Sequence, residues 1–162
     1  MFDRILLTTD GSDLAERAAP YAVELAEAFE ATLHVIYVVD TDSMGHSMGP
    51  EQVERLSGGQ LHEMTEVHER AASAIDSIRA YTEGREVRID PVIEAGVPYK
   101  IIADWADEHG IDVIVMTSQG RGGVRRALMG SVTERVARST DAAVLIVDPK
   151  STTVQHRMAA AG

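Results

Sequence analysis

The chain has 162 residues, 44% of them hydrophobic and none of them cysteine. This is typical of one globular domain without disulfide bonds, thiolate metal sites or cysteine nucleophiles. A formal net charge of −11 argues against a general binder of nucleic acid or of anionic membranes. No apolar run approaches the ~18 residues of a membrane span, and the first residues lack the pattern of a signal peptide. We therefore expect a cytoplasmic protein.

The first half of the chain is predicted to alternate strands and helices. Residues 4–9 are a short apolar run and residues 32–39 are dense in β-branched side chains, so both are predicted strands. Between them, residues 15–29 carry apolar side chains at helical spacing. Asp13 and Glu16 have the spacing of a pair that caps the N-terminus of this helix. After the second strand we expect a long mobile loop over 40–59, a helix over about 60–82 and a strand over 87–94.

The second half repeats the alternation. Pro98 begins a predicted helix that continues over 99–109, because proline is tolerated in the first helical turn. Two apolar strands over 112–116 and 142–147 enclose a glycine-rich segment and a helix over 131–139.

Five nearly continuous apolar strands separated by helices predict a doubly wound α/β domain, with a parallel sheet covered on both faces. We place this domain at residues 1–149 and expect residues 150–162 to form a flexible tail. Sheets of this class bind ligands outside the carboxyl ends of their strands, where the strand order reverses.

Three of the predicted strands end in segments with small or polar residues, at the edge where such ligands bind. They are Thr8-Thr9-Asp10, Val38-Val39-Asp40 and the run from Met116 to Gly120. At the start of the last helix, Gly130 lets a phosphate approach the backbone, and the positive helix end favours an anion. Ser131 and Glu134 have the spacing of a capping box, which would orient the first amides of that helix.

Positive charge is concentrated around the same helix. Residues 121–138 carry five arginines and one glutamate, a net charge of +4, so the rest of the chain sums to −15. A basic segment in an acidic chain favours one small anionic ligand over a long polyanion. The alternative is that these arginines only form a solvated helix face.

These segments resemble the universal stress protein family over about residues 2–149. The resemblance is carried by Ile5-Leu-Leu-Thr-Thr-Asp-Gly-Ser12, Gly96-Val-Pro98, Met116-Thr-Ser-Gln-Gly-Arg-Gly-Gly123 and Gly130-Ser-Val-Thr-Glu-Arg135. The ATP-binding branch of the family has a motif of glycine, two residues, glycine, nine residues, and then glycine with serine or threonine. Gly120 and Gly130 match the second part of this motif, but Thr117 replaces its first glycine.

The resemblance implies a sheet in the order 3-2-1-4-5 that binds ATP or a related adenine nucleotide, with or without Mg²⁺. Adenine would hydrogen-bond the backbone at Val38, and Asp10 would face the ribose or a metal-bound water. The predicted nucleotide-binding residues are Thr8, Thr9, Asp10, Val38, Met116, Thr117, Gly120, Arg121, Gly130, Ser131 and Val132. Two alternatives stay open: Asp10 caps the following helix, and the threonines are ordinary strand residues.

Three function classes follow. The first is a stress-response protein for which an adenine nucleotide is a regulatory ligand. The second is a slow ATPase or phosphotransferase that uses the same pocket; the sequence has no general base beside the glycine-rich segment, so we predict no catalytic residue and weak hydrolysis at most. The third is a nucleotide-free dimeric interaction module, which Thr117 keeps open.

In the order that the resemblance implies, the last strand lies at an edge of the sheet. Residues 142–147 have neither a charge nor a proline, and an exposed apolar edge of this kind pairs readily with another chain. We therefore expect a homodimer through this strand that buries Val144 and Ile146.

Overall fold

The computed structural model describes residues 1–42, 51, 65–118 and 130–148. The strands in these ranges are β1 (Arg4–Thr9), β2 (Thr32–Asp40), β3 (Arg88–Gly96), β4 (Val113–Thr117) and β5 (Ala143–Val147). The helices are α1 (Asp13–Glu16), α2 (Ala19–Phe29), α3 (Thr65–Arg79), α4 (Pro98–Glu108) and α5 (Ser131–Ser139), and a 3₁₀ turn over Ala80–Thr82 follows α3. The predicted tail and most of the predicted 40–59 loop lie outside the described residues.

The five strands form one sheet in the order β3-β2-β1-β4-β5, and every neighbouring pair is parallel. This confirms the predicted doubly wound α/β fold and its strand order. From β1 the chain builds outward through β2 to β3, and it then crosses the sheet to β4 and β5. The order therefore reverses between β1 and β4, at the centre of the sheet.

The core has two layers, one on each face of the sheet. On β1, Ile5 and Leu7 join the cluster that contains the buried side chains of α2 and α3, whereas Leu6 joins the cluster under α4 and α5. All three are fully buried. Because both faces of the central strands are covered, consecutive positions within them are apolar, which explains the nearly continuous apolar runs in the sequence.

The predicted helix over 15–29 is interrupted, which corrects the expectation. A short helix, α1, ends at Glu16, and α2 begins at Ala19 with Pro20 in its first turn. Proline has no N–H to donate and its ring clashes with the carbonyl four residues earlier, so the helix restarts where proline is tolerated. The predicted capping pair is also wrong: Ser12 is the N-cap, and its Oγ accepts the amide of Ala15 at 3.2 Å.

The strands at the two edges of the sheet differ. Pro91 in β3 has no N–H to offer to a further strand, which limits pairing at that edge. On β5, Val144 packs into the cluster under α4 and α5, whereas Ala143 and Leu145 are exposed, Leu145 to 36%. The apolar surface of this edge is therefore presented by Leu145, while Val144 already belongs to the core.

Among the helices of the described ranges, none combines the length and the apolar character that crossing a bilayer requires.

Candidate functional site

The carboxyl ends of β2, β1 and β4 lie side by side, and they form the centre of the candidate site. The pairing of β1 with β2 ends at Thr9 and Tyr37, and β1 is paired with β4 up to Leu7 and Val115. In sheets of this class the ligand crevice lies where the strand order reverses, which here is between β1 and β4. The predicted residues Thr8, Thr9, Asp10, Val38, Met116 and Thr117 all belong to these three strand ends.

The turn after β1 is held by its own polar side chains. The Thr9 hydroxyl accepts the amide of Gly11 at 3.1 Å, and Oδ1 of Asp10 accepts the amide of Ser12 at 2.9 Å. Asp10 therefore does not cap α1; it orients Ser12, the residue that does. Thr9 is 7% exposed and acts in this turn as well as in the strand.

The start of α5 is tied to the end of β4. Ser118 donates its amide to the carbonyl of Val147 at 2.9 Å, and the carbonyl of Ser118 accepts the amide of Gly130 at 2.6 Å. One helical turn further on, Oγ1 of Thr133 donates to the carbonyl of Thr117 at 2.8 Å. These contacts hold the positive end of α5 at the edge of the sheet where the crevice lies.

The first turn of α5 leaves backbone amides for a ligand. The first hydrogen bond within the helix runs from the amide of Glu134 to the carbonyl of Gly130 at 3.1 Å, so the amides of Ser131, Val132 and Thr133 precede it. Such first-turn amides have no partner inside a helix, and the helix dipole makes this end attractive to anions. The amide of Gly130 already donates to the carbonyl of Ser118, so Gly130 is not a further donor for a ligand.

The predicted capping box at this helix is wrong. Gly130 is the N-cap, Ser131 is the first helical residue, and no side chain caps the helix. The Glu134 carboxylate instead accepts Arg138 at 2.8 Å, one turn further along the same helix. An i,i+4 pair with an arginine competes for this carboxylate, which a capping box would need at the helix start.

Two predicted residues have their side chains in the core. Met116 is 3% exposed and packs in the cluster under α4 and α5, and Thr117 is 6% exposed at the end of β4. Val38 is half-buried and packs against the same cluster. Gly120 and Arg121 lie outside the described residues.

The described arginines of the basic segment make local contacts. Arg138 pairs with Glu134 as above, and the guanidinium of Arg135 lies 5.0 Å from the ring centre of Tyr99 on α4. For these two residues the structure favours the solvated helix face over a role in binding an anion. The other arginines of the segment lie outside the described residues.

A groove on the other side of the Asp10 turn was missed by the sequence analysis. It has a volume of about 490 Å³, and its walls are Asp10, Gly11, Tyr37 and one face of α3. The α3 face contributes Glu66, Glu69, Arg70, Ser73, Ala74 and Ser77. In the sequence, the only indication of this groove is a set of polar residues at helical spacing, and such a set is equally typical of any solvated helix face. Within the described ranges, no three His, Asp or Glu side chains form a group that could hold a metal ion.

A family model described as the universal stress protein family matches residues 1–148. The universal stress protein MJ0531 of Methanocaldococcus jannaschii is 32% identical over 148 residues, which cover 91% of this chain and 82% of that protein. The solved structure of protein MJ0577 from the same organism has a TM-score of 0.73 at 26% identity and covers 94% of this chain and 99% of its own.

A universal stress protein solved in complex with cAMP has a TM-score of 0.64 at 23% identity, covering 92% of this chain and 98% of its own, and this likeness shows the shared fold. The family model covers nearly the whole chain, and the observed strand order agrees with that fold. This chain belongs to the universal stress protein family.

Proposed function

We propose that this chain binds an adenine nucleotide, ATP or a close relative, in the crevice between β1, β4 and α5, and that the nucleotide is a regulatory ligand in stress response. The observation that carries the proposal is the start of α5. Three consecutive amides without partners in their helix are held at the strand-order reversal by hydrogen bonds to the end of β4. Phosphate groups are the ligands that such a helix end suits.

The register of β2 supports the proposed position of the base at Val38. Its pairing with β1 stops at Tyr37, but its pairing with β3 continues to Asp40 and Gly96. Within the described part of the chain, Val38 and Val39 therefore have no strand neighbour on the β1 side. Main-chain groups of these two residues on that side would face the Watson–Crick edge of a base, as the predicted contact at Val38 requires. The protein solved with cAMP shares the fold and has an adenine nucleotide for its ligand.

The first experiment is to denature the purified protein and to identify any released nucleotide by absorbance and chromatography. The second is a titration of nucleotide-free protein with ATP and with GTP. We expect ATP to bind more tightly, because a fixed pattern of backbone donors and acceptors distinguishes the two purine edges. Equal affinity for ATP and GTP would contradict the Val38 assignment. Sustained formation of ADP by the wild type would favour the ATPase alternative.

The phosphate site is tested by Gly130→Val. The backbone at Gly130 has a φ of −56°, which any residue adopts, so the variant should fold while its branched side chain fills the space beside the first-turn amides. Ser139→Val, at the opposite end of α5, is the matched control. We expect ATP binding to be lost in Gly130→Val alone, with unchanged circular dichroism in both variants. Normal ATP binding by Gly130→Val would place the phosphates elsewhere.

We also infer that the chain forms a homodimer through β5. The observation is the exposed apolar side chain of Leu145 on an edge strand. Pairing two copies of this strand would satisfy its open backbone groups and remove Leu145 from water. The structure makes Leu145→Asp a cleaner test than Val144→Asp, since Val144 already packs in the core of one subunit.

Light scattering at micromolar concentration should give twice the mass of one chain for the wild type and a shift towards monomer for Leu145→Asp. Ala80→Asp, which adds the same charge at an exposed position after α3, should leave the mass unchanged. A monomeric wild type would overturn the dimer.

A further inference from the structure

Thr133 lies at the junction between α5 and the sheet, outside the set of residues that the sequence analysis selected. Its side chain is on the third residue of the helix and is 3% exposed. Its hydroxyl donates to the carbonyl of Thr117, the last residue of β4, across 16 positions of sequence. A hydroxyl in the first turn of a helix commonly bonds nearby backbone, so a bond to another element is informative.

The bond fixes where the free amides of α5 stand relative to the sheet. Gly130 and Thr133 are three residues apart and therefore lie on the same side of the helix. The amide of Gly130 donates to the carbonyl of Ser118, and the hydroxyl of Thr133 donates to the carbonyl of Thr117. The last residue of β4 and the residue after it therefore hold the first turn of α5 at two points. Two attachment points prevent the helix start from pivoting, which one point alone would allow.

We propose that Thr133 is a positioning residue for phosphate binding: its hydroxyl, through the carbonyl of Thr117, holds the first-turn amides of α5 in the place where they meet the phosphates. This assignment rests on the proposed function above. Thr133 acts through the helix and does not need to touch the nucleotide with its side chain. Its effect should therefore fall on the phosphate part of the ligand and not on the adenosine part.

The test compares Thr133→Val, which keeps the shape and removes the hydroxyl, with Thr133→Ser, which keeps the hydroxyl. The matched control is Thr140→Val at the other end of α5, where a threonine hydroxyl donates to Oδ1 of Asp107 at the same distance of 2.8 Å. Affinities for ATP and for adenosine are measured by calorimetry at a temperature where thermal scans show every variant fully folded. Thr133→Ala is a second hydroxyl-free variant should the valine variant not fold.

We expect Thr133→Val to bind ATP about tenfold more weakly, as for the loss of one buried hydrogen bond, and to bind adenosine as the wild type does. Thr133→Ser should retain ATP affinity, and Thr140→Val should bind both ligands normally. Wild-type ATP affinity in the hydroxyl-free variants would overturn the assignment, and so would an equal loss for ATP and adenosine. A wild type that binds no ATP would overturn the proposed function itself.

Discussion

Gly96 ends β3 at the point where the chain turns into α4, and its replacement by alanine gives a stability prediction that can be worked from distances. The residue has a φ of +153°, and a Cβ placed on it would lie 2.8 Å from Cγ1 and 2.9 Å from Cδ1 of Ile101. Carbon atoms pack best at about 3.5–4.0 Å, so the methyl group would be about 0.7 Å too close. Either Ile101 or the start of α4 must move.

The expected loss of stability has two parts. A φ of +153°, which side chains rarely adopt, costs about 1–3 kcal/mol, and forcing a methyl group into an occupied space costs about 1–3 kcal/mol more. Gly84→Ala separates them, because Gly84 has a φ of +75° and no atom within 4 Å of a built Cβ. It should lose about 1–2 kcal/mol, because left-handed backbone costs a side chain that much even in open space. Gly96→Ala should therefore be the less stable variant by about 1–3 kcal/mol.

Urea unfolding of both variants at one fixed protein concentration measures this difference, since dimerisation makes stability concentration-dependent. In a double-mutant cycle, Ile101→Ala removes both close atoms and should recover about 1–2 kcal/mol of the loss in the Gly96→Ala background. If Gly96→Ala were no less stable than Gly84→Ala, or if the cycle showed no coupling, the steric argument would be refuted.

Two further predictions concern pH and the strand end at the site. Burial lowers the pKa of His34 from its ordinary 6.5, and this outweighs the opposing effect of the Asp90 carboxylate at 3.9 Å. The folded chain then binds fewer protons than the unfolded chain, so stability should fall as the pH drops below about 6.5. Urea unfolding at about pH 7 and about pH 5 measures this fall. His34→Gln should reduce it, and the exposed control His68→Gln should not. Thr117→Gly should tighten ATP binding by restoring the glycine that the ATP-binding motif has at this position. It should also lower stability by about 1–2 kcal/mol because it removes a buried side chain from a strand. Unchanged or weaker binding in calorimetry would show that the threonine is no obstacle.

The elements of the fold were predictable because their signals are local. The apolar run of β1 and the helix of α5 were predicted with the bounds that the structure has, Arg4–Thr9 and Ser131–Ser139. Strands covered on both faces have nearly continuous apolar runs, so their sequence alone marks them. The break between α1 and α2 was missed, although Pro20 was visible, because the apolar spacing on both sides of the proline fits one continuous helix.

The candidate site was predicted only in part. The sequence predicted that the ends of β1, β2 and β4 lie side by side, because the carboxyl ends of parallel strands meet at one edge of a sheet. Ser131 and Glu134 have the spacing of a capping box, but no capping box forms because Glu134 pairs with Arg138. The role of Thr133 was not predicted because its partner is a backbone carbonyl on another element. In the sequence, a threonine that bonds a distant carbonyl cannot be distinguished from any other threonine.

The sequence by itself determined the alternation of strands and helices, the doubly wound class and the strand ends that meet at one edge of the sheet, since each follows from residue type and spacing along the chain. Only the tertiary structure decided which side of β5 is open, how α5 is attached to β4, and that Asp10 lines a groove with α3. The physical reason is the same in each case. Exposure, hydrogen bonding between elements and cavity walls depend on which distant residues are brought together, and no local pattern of side chains encodes that pairing.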